Sequence, residues 1–505
     1  MGRQKRESMR LMLAMCTGLQ VGYDGYFSSA PMGIETLASH ARKHAEVSLA
    51  DMRGRGQDVE AHAEFLLSGR PDMIGLSVNS APHTKYALAL GKALRKRSGG
   101  LKLIVGGQQA TFLPDEMLAP GDFDAVVRGE GELTLEEILT RGTFAGVQGV
   151  SWRSDGQVVH EPDRPLIEDV DTILPPARDL LPDRRAYRMG DYRVEGIESS
   201  RGCPFHCSFC SIRNFHRGKW RAKSVARVMR EVDWIIANYN DPMVVYFADD
   251  NFANNIPRVV EICKAIVERK SKLYFWCQAR VDVMAKHPEV IEWMGKAHFT
   301  AVLAGIETSV PRLLKSARKG TSLEQISKAI ELLHKQDIGV WGTFTLGLPG
   351  ETAEETAMTA KFIPTADVDV TQITVATPIP GSDLYSDAKA GGQLLHTDWD
   401  QYDFTSPTMK GQLSKKELDA FMSKAYLKTY LSWRYMVAPF HKHNNLGRLR
   451  ATAFGVFWSW IWYLIKDGIR GLFRLKRAAP HRPAGTVAAA QADSPAPDTV
   501  PNSGK

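Results

Sequence analysis

Short apolar runs alternate with helix-like stretches along the first 150 residues. The helix-like stretches, in which apolar residues recur every three or four positions, cover residues 31–44, 58–67 and 84–96. The apolar runs have the length of buried strands and cover residues 9–16, 47–50, 73–78, 101–105 and 125–127. These repeated units predict an α/β fold over residues 8–150, a doubly wound (Rossmann-like) parallel sheet with ligands at the carboxyl ends of its strands.

A second set of patterns follows a proline-rich linker. The linker, residues 151–193, is rich in Pro, Asp and Arg, and we expect it to pack between two domains. Beyond it, helical patterns such as 224–239 and 323–335 separate six strand patterns, at residues 194–199, 243–248, 272–279, 300–306, 338–346 and 370–377. This spacing predicts a partial (β/α)6 barrel over residues 194–390, with its chemistry at the carboxyl ends of the strands.

Three of the six cysteines stand close together after the first barrel strand. Residues 198–219 read ESSRGCPFHCSFCSIRNFHRGK and space Cys203, Cys207 and Cys210 as Cys-x-x-x-Cys-x-x-Cys. A [4Fe–4S] cluster held by protein alone takes four thiolates, and no fourth cysteine lies nearby, so one iron would keep an open site. A structural zinc site is the alternative, with His206 or His216 as its fourth ligand.

Cysteine usage and charge narrow the class of protein. Cys16, Cys263 and Cys277 are scattered, which favours buried thiols over disulfides and indicates a reducing compartment. The net charge is +7, and eight Lys/Arg against one acid lie between Lys442 and Arg477. The basic character is therefore local, and we expect no nucleic-acid partner. The apolar run after MGRQKRESMR is short, so no signal peptide is expected.

The cysteine motif resembles that of the radical S-adenosylmethionine (SAM) superfamily. The segments DDNF, GIET, LGLPGET and TPIPGSDLY resemble strand-end motifs of the same superfamily. The resemblance implies that SAM closes the open iron site, with Asp249 or Asp250 accepting from its ammonium group. Arg280 would pair with its carboxylate and Glu307 would bind its ribose. The SAM-binding residues implied in this way are Asp249, Asp250, Asn251, Gln278, Arg280, Glu307, Gly347, Glu351 and Pro378.

The first domain resembles the cobalamin-binding domain that precedes the barrel in many radical SAM enzymes. Its loops VGGQQATFLPDEML and VVRGEGE carry the resemblance, which implies cobalamin as a third cofactor. The loop CTGLQVGYDGYF, at residues 16–27, lacks the histidine that binds cobalt in mutases, as is common in the radical SAM branch. The implied contact residues, each of which alone also suits an ordinary strand end or turn, are Ser77, Asn79, Gly106, Gly107, Gln108 and Gly129.

The C-terminal region is predicted to be helical. Residues 391–450 are rich in aromatic residues and read as a helical cap. Residues 451–477 begin with fifteen uncharged residues, fewer than the roughly 20 of a membrane span, and then carry cations at helical spacing. We expect an amphipathic helix on a membrane surface, with a buried or oligomer-forming helix as the alternative. Residues 478–505 are rich in Pro and Ala, and disorder is expected there.

The resemblance implies methyl transfer from methylcobalamin to a substrate radical. The predicted membrane helix suggests a lipophilic substrate, and RGCPFHCSFCS followed by FHRGK is similar to hopanoid C-3 methylases. We expect a cytoplasmic enzyme, peripheral on the inner face of the membrane, that takes electrons from a low-potential flavodoxin- or ferredoxin-type donor. The alternatives are a cobalamin-dependent radical SAM cyclase acting on a tetrapyrrole, a lipid-rearranging enzyme, and an iron–sulfur electron carrier.

Overall fold

A computed structural model of the chain describes residues 9–17, 27–53, 55–56, 58–181, 184–189, 192–239, 243–440 and 444–477. The predicted disordered tail, residues 478–505, lies outside these ranges, as does most of the loop after the first strand, residues 18–26. Within the described residues the strands form two seven-stranded sheets and one short two-stranded pair. Each of the two predicted α/β domains is built around one of the seven-stranded sheets.

The first sheet has the order β2-β1-β3-β4-β5-β6-β7. Its strands are β1 (Arg10–Met15), β2 (Glu46–Asp51), β3 (Met73–Ser77), β4 (Lys102–Gly106), β5 (Ala125–Val127), β6 (Val150–Ser154) and β7 (Gln157–His160). Strands β1 to β5 are parallel, whereas β6 and β7 are antiparallel to their neighbours. The helices of this domain are α1 (Met32–Ala41), α2 (Val59–Ser68), α3 (His83–Arg97), α4 (Gln108–Phe112), α5 (Pro114–Leu118) and α6 (Glu132–Arg141).

Both faces of the first sheet are buried, as the continuous apolar runs predict. Along β1, Met12 and Ala14 belong to one buried cluster, and Leu11, Leu13 and Met15 belong to another on the opposite face. The first cluster includes residues of α2 and α3, and the second includes residues of α1 and α6. Helices therefore cover both faces, and the doubly wound prediction is confirmed.

The hairpin of β6 and β7 lies where the sequence predicted a linker. Trp152 and Val158 pack partly buried against the sheet, and Ser151 hydrogen-bonds to His160 across the hairpin at 2.8 Å. Both strands are short and mostly polar, so the alternation of apolar and polar residues that predicts a strand is weak here. The linker after them consists of irregular chain and three short 3₁₀ turns, at Val170–Thr172, Arg178–Leu180 and Arg184–Ala186.

The second sheet contains the six predicted barrel strands. The strands of this region are β8 (Arg188–Met189), β9 (Tyr192–Ile197), β10 (Ser200–Arg201), β11 (Arg221–Ala222), β12 (Met243–Phe247), β13 (Tyr274–Gln278), β14 (Phe299–Glu307), β15 (Gly339–Leu346) and β16 (Val370–Val375). The sheet order is β16-β15-β14-β13-β12-β9-β8, with β8 antiparallel and the other six parallel. In the described chain the sheet does not close on itself, as expected for a partial barrel.

Helices follow the barrel strands and cover the outer face of the sheet. They are α7 (Ile212–Phe215), α8 (Val225–Asn238), α9 (Ile256–Glu268), α10 (Val281–Lys286), α11 (Pro288–Lys296), α12 (Pro311–Ser316), α13 (Leu323–Lys335), α14 (Ala353–Phe362) and α15 (Asp383–Ala390). Helix α13 begins after a capping box of Ser322 and Gln325. Cys277 lies fully buried in the outer core with Phe275 and Phe299, as its alternation with Gln278 predicts. Cys16 and Cys263 are buried thiols as well.

The C-terminal region contains α16 (Lys415–Tyr430), α17 (Trp433–Met436) and α18 (Asn445–Arg477). Helix α16 packs on the barrel, where the backbone N–H groups of Thr371 and Ile373 donate to Tyr430 Oη (3.1 Å) and Tyr426 Oη (2.9 Å). Residues up to Val456 form one compact unit, and Phe457 begins a second. Among the residues that the structure describes, no helix combines the length and apolar character needed to cross a bilayer.

Candidate active site at the carboxyl ends of the barrel strands

The cysteine loop is closed by a short strand pair. Strands β10 and β11 pair Ser200 with Ala222 and Arg201 with Arg221, which holds the two ends of the loop together. Gly202 adopts a φ of +87°, and a Cβ there would collide with the carbonyl oxygen of Lys219. Only glycine fits this position, which leads directly into Cys203. The fold therefore presents Cys203, Cys207 and Cys210 from one constrained loop, where all three are partly exposed.

The donor set fits a cluster better than a single metal ion. Among the described residues no group of three His, Cys, Asp or Glu side chains is placed to hold one metal ion. The Nδ1 atom of His216 lies 3.0 Å from Nη2 of Arg221. Burial lowers the pKa of His216 to about 4. A cubane takes one thiolate per iron, so its ligands are spread apart. Three cysteines without a fourth fit a [4Fe–4S] cluster with one open iron.

Two cations stand beside the cysteine loop. Arg280 Nη1 lies 3.6 Å from Cys207 Sγ, and the guanidinium is 3.9 Å above the Phe205 ring. The Lys319 ammonium lies 5.8 Å from the Phe209 ring and is also buried. Burial raises the pKa of Cys210 to about 12, so its thiolate needs positive charge nearby. These cations would stabilise the negative charge of a thiolate-ligated cluster.

Arg280 was predicted to bind the SAM carboxylate, and the structure gives its guanidinium other partners. Its Nε donates to Asp282 Oδ1 at 3.0 Å, and its Nη2 donates to the carbonyl oxygen of Lys319. Its backbone N–H donates to Asn251 Oδ1 at 3.2 Å. Arg280 therefore connects the ends of β12 and β13 with the cysteine loop. Lys319 had no signal in the sequence, because it lies in a loop outside any motif.

The two neighbouring aspartates after β12 have different surroundings. Asp249 is fully buried and accepts hydrogen bonds from Ser199 N–H (2.7 Å), Ser199 Oγ (2.7 Å) and Ser200 Oγ (2.5 Å). Its carboxylate holds the start of the cysteine loop and has little capacity left for SAM. Asp250 accepts from Gly202 N–H at 2.9 Å and keeps a quarter of its side chain exposed; burial raises its pKa to about 6. Of the predicted pair, Asp250 is the available acceptor.

Glu307 has an unusual backbone conformation. Its φ is +69°, and the pairing of β14 with β15 shifts register between Gly305 and Glu307. A non-glycine residue in this region is strained unless its surroundings hold it there. Here Lys319 Nζ lies 2.7 Å from Glu307 Oε1, and Thr345 Oγ1 donates to Oε2 at 3.0 Å. The carboxylate is therefore fixed at the strand-end edge, where the ribose of SAM was predicted to bind.

The remaining predicted SAM residues shape the same edge. Gln278 Nε2 donates to Tyr246 Oη at 2.7 Å, and Asn251 Nδ2 donates to Asn254 Oδ1 at 2.6 Å. Glu351 accepts from Leu348 N–H at 2.8 Å and so closes the Gly-Leu-Pro-Gly turn, and Pro378 is buried. Gly347, with a φ of +74°, accepts at 2.8 Å from Nε2 of Gln412, a C-terminal residue that the sequence did not indicate.

Aromatic rings line the inner face of the second sheet. The Tyr246 and Trp276 rings lie 4.5 Å apart, and Trp341 lies 5.9 Å from Trp276. Phe27, which follows the loop after β1, lies 4.9 Å from Trp276 and 5.5 Å from Tyr246. The first domain therefore contributes a side chain to the interior of the barrel. The result is an apolar aromatic surface below the polar strand ends.

The predicted cobalamin residues lie at the ends of the neighbouring strands β3, β4 and β5. Gly107 has a φ of +97°, and a Cβ there would lie 2.5 Å from Asn79 Oδ1. The Gln108 N–H lies 3.4 Å from the same oxygen. Gly106 and Ser77 pair across β3 and β4, and Gly129 N–H donates to Thr111 Oγ1 at 3.0 Å. This edge suits a ligand that approaches the backbone closely, and most of the loop without histidine lies outside the described residues.

Side chains from the two domains connect the cobalamin edge with the cysteine loop. Gln108 Nε2 donates to Ser211 Oγ at 2.7 Å. Glu130, buried in the GEGE segment, pairs with Arg201 at 3.0 Å and with Arg221 at 2.9 Å. These arginines are the two ends of the cysteine loop. The contacts place the ligand edge of the first domain next to the cysteines.

Comparison with known proteins agrees with this geometry. Residues 197–363 match the model of the radical SAM superfamily, and residues 21–139 match that of the B12 binding domain. An uncharacterised methyltransferase of Pyrococcus horikoshii is 32% identical over 88% of this chain and 94% of its own length. The hopanoid C-3 methylase of Methylococcus capsulatus is 28% identical over 80% of this chain and 77% of its own length.

Two further similarities concern a cyclase and a solved structure. The anaerobic magnesium-protoporphyrin IX monomethyl ester cyclase of Rubrivivax gelatinosus is 27% identical over 82% of this chain and 76% of its own length. The radical SAM methyltransferase TsrM from Kitasatospora setae, solved with cobalamin and a [4Fe–4S] cluster, shares the fold with a TM-score of 0.65 at 14% identity. The similarity covers 90% of this chain and 99% of TsrM.

The cofactors follow from the two matched domains. The radical SAM domain carries the cysteine loop and so takes a [4Fe–4S] cluster and SAM, and the first domain takes cobalamin. The chain is therefore an enzyme, since a carrier of electrons alone needs neither SAM nor cobalamin. The extensive similarity to the Pyrococcus methyltransferase, together with the two domains and their shared edge, shows that the chain belongs to the cobalamin-dependent radical SAM methyltransferase family.

Proposed function

We propose that this enzyme methylates an unactivated carbon of a lipophilic substrate, and that a hopanoid ring carbon, C-3, is the specific target. The observation that carries the proposal is the aromatic inner face of the barrel, where Phe27 of the cobalamin domain meets Tyr246 and Trp276. Trp276 is buried behind the other two rings, whereas Phe27 and Tyr246 are partly exposed and would meet an apolar substrate. Burial of apolar surface against them would drive the binding of a lipophilic ligand. The hopanoid assignment is supported by the relative from Methylococcus capsulatus.

Each group of residues has a defined task in this proposal. When bound, the cluster with SAM supplies a radical that takes a hydrogen atom from carbon, and cobalamin supplies the methyl group. Asp250, Glu307 and the Gly347 turn position SAM at the strand ends. Phe27 and Tyr246 would contact the substrate below it, and the buried rings of Trp276 and Trp341 support them from behind. Gln108 and Glu130 keep the cobalamin edge next to the cysteine loop, so that both cofactors can reach the same substrate.

A second candidate is oxidative cyclisation of a tetrapyrrole. The flat rings of Phe27 and Tyr246, which are partly exposed, are also suited to contact with a planar macrocycle. A cyclase of this kind is among the similar proteins. The two reactions differ in whether the methyl group of SAM enters the product. Isotope transfer therefore separates them directly.

The experiment incubates reconstituted enzyme, SAM labelled in its methyl group, a reductant and a membrane lipid extract. The proposal predicts label in an apolar lipid, with a mass gain of one methylene in a hopanoid, and no label with Cys210→Ala. Phe27→Leu should weaken product formation while leaving reductive SAM cleavage intact, because Phe27 is partly exposed and lies outside the cysteine loop and the strand ends that would bind SAM. Cleavage of SAM without label in any lipid, or label in a water-soluble product, would overturn the lipophilic assignment.

The proposal includes two partners. A low-potential flavodoxin- or ferredoxin-type protein would reduce the cluster. The enzyme would work as a peripheral protein on the inner face of the cytoplasmic membrane, where a lipophilic substrate is concentrated. Residues 451–477 were predicted to lie on the membrane surface, and within them Trp458 and Trp462 are about half exposed on α18. Exposed tryptophan is typical of helices at the bilayer interface.

A further inference from the structure

Five large apolar side chains are exposed on the short segment from the last turns of α16, through α17, to the 3₁₀ turn Ala438–Phe440. Trp433 is 75% exposed and Phe440 85% exposed, and these are the two highest values among large hydrophobic residues of the described chain. Leu427, Leu431 and Met436 are each more than 40% exposed. We call these five residues the 427–440 surface. Other exposed apolar side chains before residue 456, such as Phe65 and Met358, are widely separated in the sequence.

The exposure of this surface is built into the fold, because the same segment is firmly attached on its inner side. Tyr430 and Tyr435 are buried, and Tyr435 Oη donates to the carbonyl oxygen of Val368 at 2.9 Å. Arg434 Nη2 donates to Asp369 Oδ1 at 2.8 Å. The segment therefore turns Tyr430 and Tyr435 toward the barrel and leaves the five apolar side chains on its outer side. An apolar outer face of this kind is unusual on a protein that meets only water.

The charges around the surface indicate what covers it. Residues 420–466 contain seven Lys/Arg and no Asp or Glu. Lys424 and Lys428 are exposed on α16, next to Leu427. Protein–protein interfaces are depleted in lysine. Asp367 lies beside the segment, but its charge is neutralised by an ion pair with Arg434. Exposed tryptophan and phenylalanine beside lysine are instead the composition of a surface that inserts into lipid head groups.

We propose that the 427–440 surface binds an anionic lipid bilayer. Its apolar side chains would enter the interface between head groups and acyl chains, while Lys424 and Lys428 would extend to the lipid phosphates. This inference goes beyond the proposed function, because it assigns membrane contact to residues outside the predicted helix 451–477. It also does not depend on which substrate is methylated.

The position of the surface determines how the enzyme would face the bilayer. Val368 and Asp369, which anchor the segment, directly precede β16, at the edge where the barrel strands begin. The cysteine loop follows β9, at the edge where parallel strands end. Binding through the 427–440 surface would thus hold the enzyme at the membrane without covering the cysteine loop. The surface is a means of recruitment, separate from the reacting groups.

The experiment is flotation of the full-length protein with lipid vesicles. One vesicle is pure phosphatidylcholine and the other contains one part phosphatidylglycerol to two parts phosphatidylcholine. The double substitution Trp433→Ser with Phe440→Ser should lower partition into the anionic vesicles by at least about tenfold, since two exposed aromatic side chains no longer bury apolar area. The matched control is Met358→Ser, which removes an apolar side chain that is 53% exposed elsewhere, on α14, and should leave partition unchanged.

Charge is tested by Lys424→Glu with Lys428→Glu, which should abolish the preference for anionic vesicles. Unchanged thermal unfolding of each variant excludes loss of fold. Flotation of the Trp433/Phe440 variant equal to that of the parent would overturn the inference and assign binding to α18 alone. A parent that does not float but forms dimers that the variant loses would also overturn it, in favour of a protein interface. Methyl transfer to detergent-solubilised substrate, measured separately, bears only on the proposed function.

Discussion

Gln108 and Ser211 join the two cofactor domains through one hydrogen bond, from Gln108 Nε2 to Ser211 Oγ at 2.7 Å. Gln108 follows Gly107 at the predicted cobalamin edge, and Ser211 follows Cys210 in the cysteine loop. The side chain that begins α4 therefore touches the residue next to a predicted cluster ligand. Together with the ion pairs of Glu130 to Arg201 and Arg221, this contact sets the relative position of the two edges.

Removing this bond should uncouple the two halves of the reaction. Gln108→Ala and Ser211→Ala should each leave cluster content unchanged and lower the amount of methylated product formed per 5′-deoxyadenosine. The double variant should be no worse than the more impaired single variant, because both lose the same bond. Product and 5′-deoxyadenosine are measured in one assay. Effects that add fully in the double variant would show that the two residues act independently.

Arg280 should tune the cluster through its charge. Its guanidinium lies 3.6 Å from Cys207 Sγ, where it favours the more negative, reduced state. Arg280→Met should lower the reduction potential of the reconstituted cluster by about 50 mV, close to a tenfold change for one electron. Arg318→Met is the control, since Arg318 is exposed and pairs with Asp383. A potential that stays constant or rises in Arg280→Met would contradict this role.

Glu307 should be needed for the stability of the strand-end edge. Its substitution by Ala leaves the buried Lys319 ammonium without its carboxylate partner, which costs roughly 3–5 kcal/mol for a buried ion pair. Adding Lys319→Met should recover most of the loss, because no buried charge then remains. Chemical unfolding of the cofactor-free protein measures the free energy of unfolding of the single and the double variant. The exposed pair of Glu331 and Lys335 gives the control, and Glu331→Ala should leave the free energy of unfolding nearly unchanged.

His334 should make stability depend on pH on the alkaline side. Burial alone would lower its pKa, but hydrogen bonds to Asp367 and Asp369 outweigh this effect and raise the pKa to about 9. A raised folded-state pKa gives stability that is fully present below about pH 6.5, the unfolded value, and is lost as pH rises through 9. We expect a loss of about 3 kcal/mol as the pH rises through this range. The unfolding midpoint of His334→Gln, followed over the same pH range, should fall much less than that of the parent.

The secondary structure was largely predictable because each element carries its own periodicity. All six barrel strands appear where apolar runs were found, and the outward direction of Cys277 followed from alternation with Gln278. The hairpin of β6 and β7 was missed because its strands are short and mostly polar. Its position depends on pairing with β5, which is tertiary information.

The sequence was sufficient to predict which strand-end residues form the site. It was not sufficient to predict the role of each residue. Asp249 and Asp250 are identical in type and adjacent in sequence. Asp249 is occupied by Ser199 and Ser200, whereas Asp250 stays partly open, and those partners lie about 50 residues away. Lys319 lies in no motif and is recognisable only by its contact with Glu307. Hydrogen-bond partners from distant parts of the chain decide such roles.

The account depends most directly on the open iron held by Cys203, Cys207 and Cys210. The measurement that tests it is electron paramagnetic resonance of the anaerobically reconstituted, reduced protein before and after addition of SAM. We predict a [4Fe–4S] signal that changes when SAM is added, accompanied by formation of 5′-deoxyadenosine, and no such signal in Cys207→Ala. Bound zinc in place of iron, or a cluster signal that SAM leaves unchanged, would contradict the account.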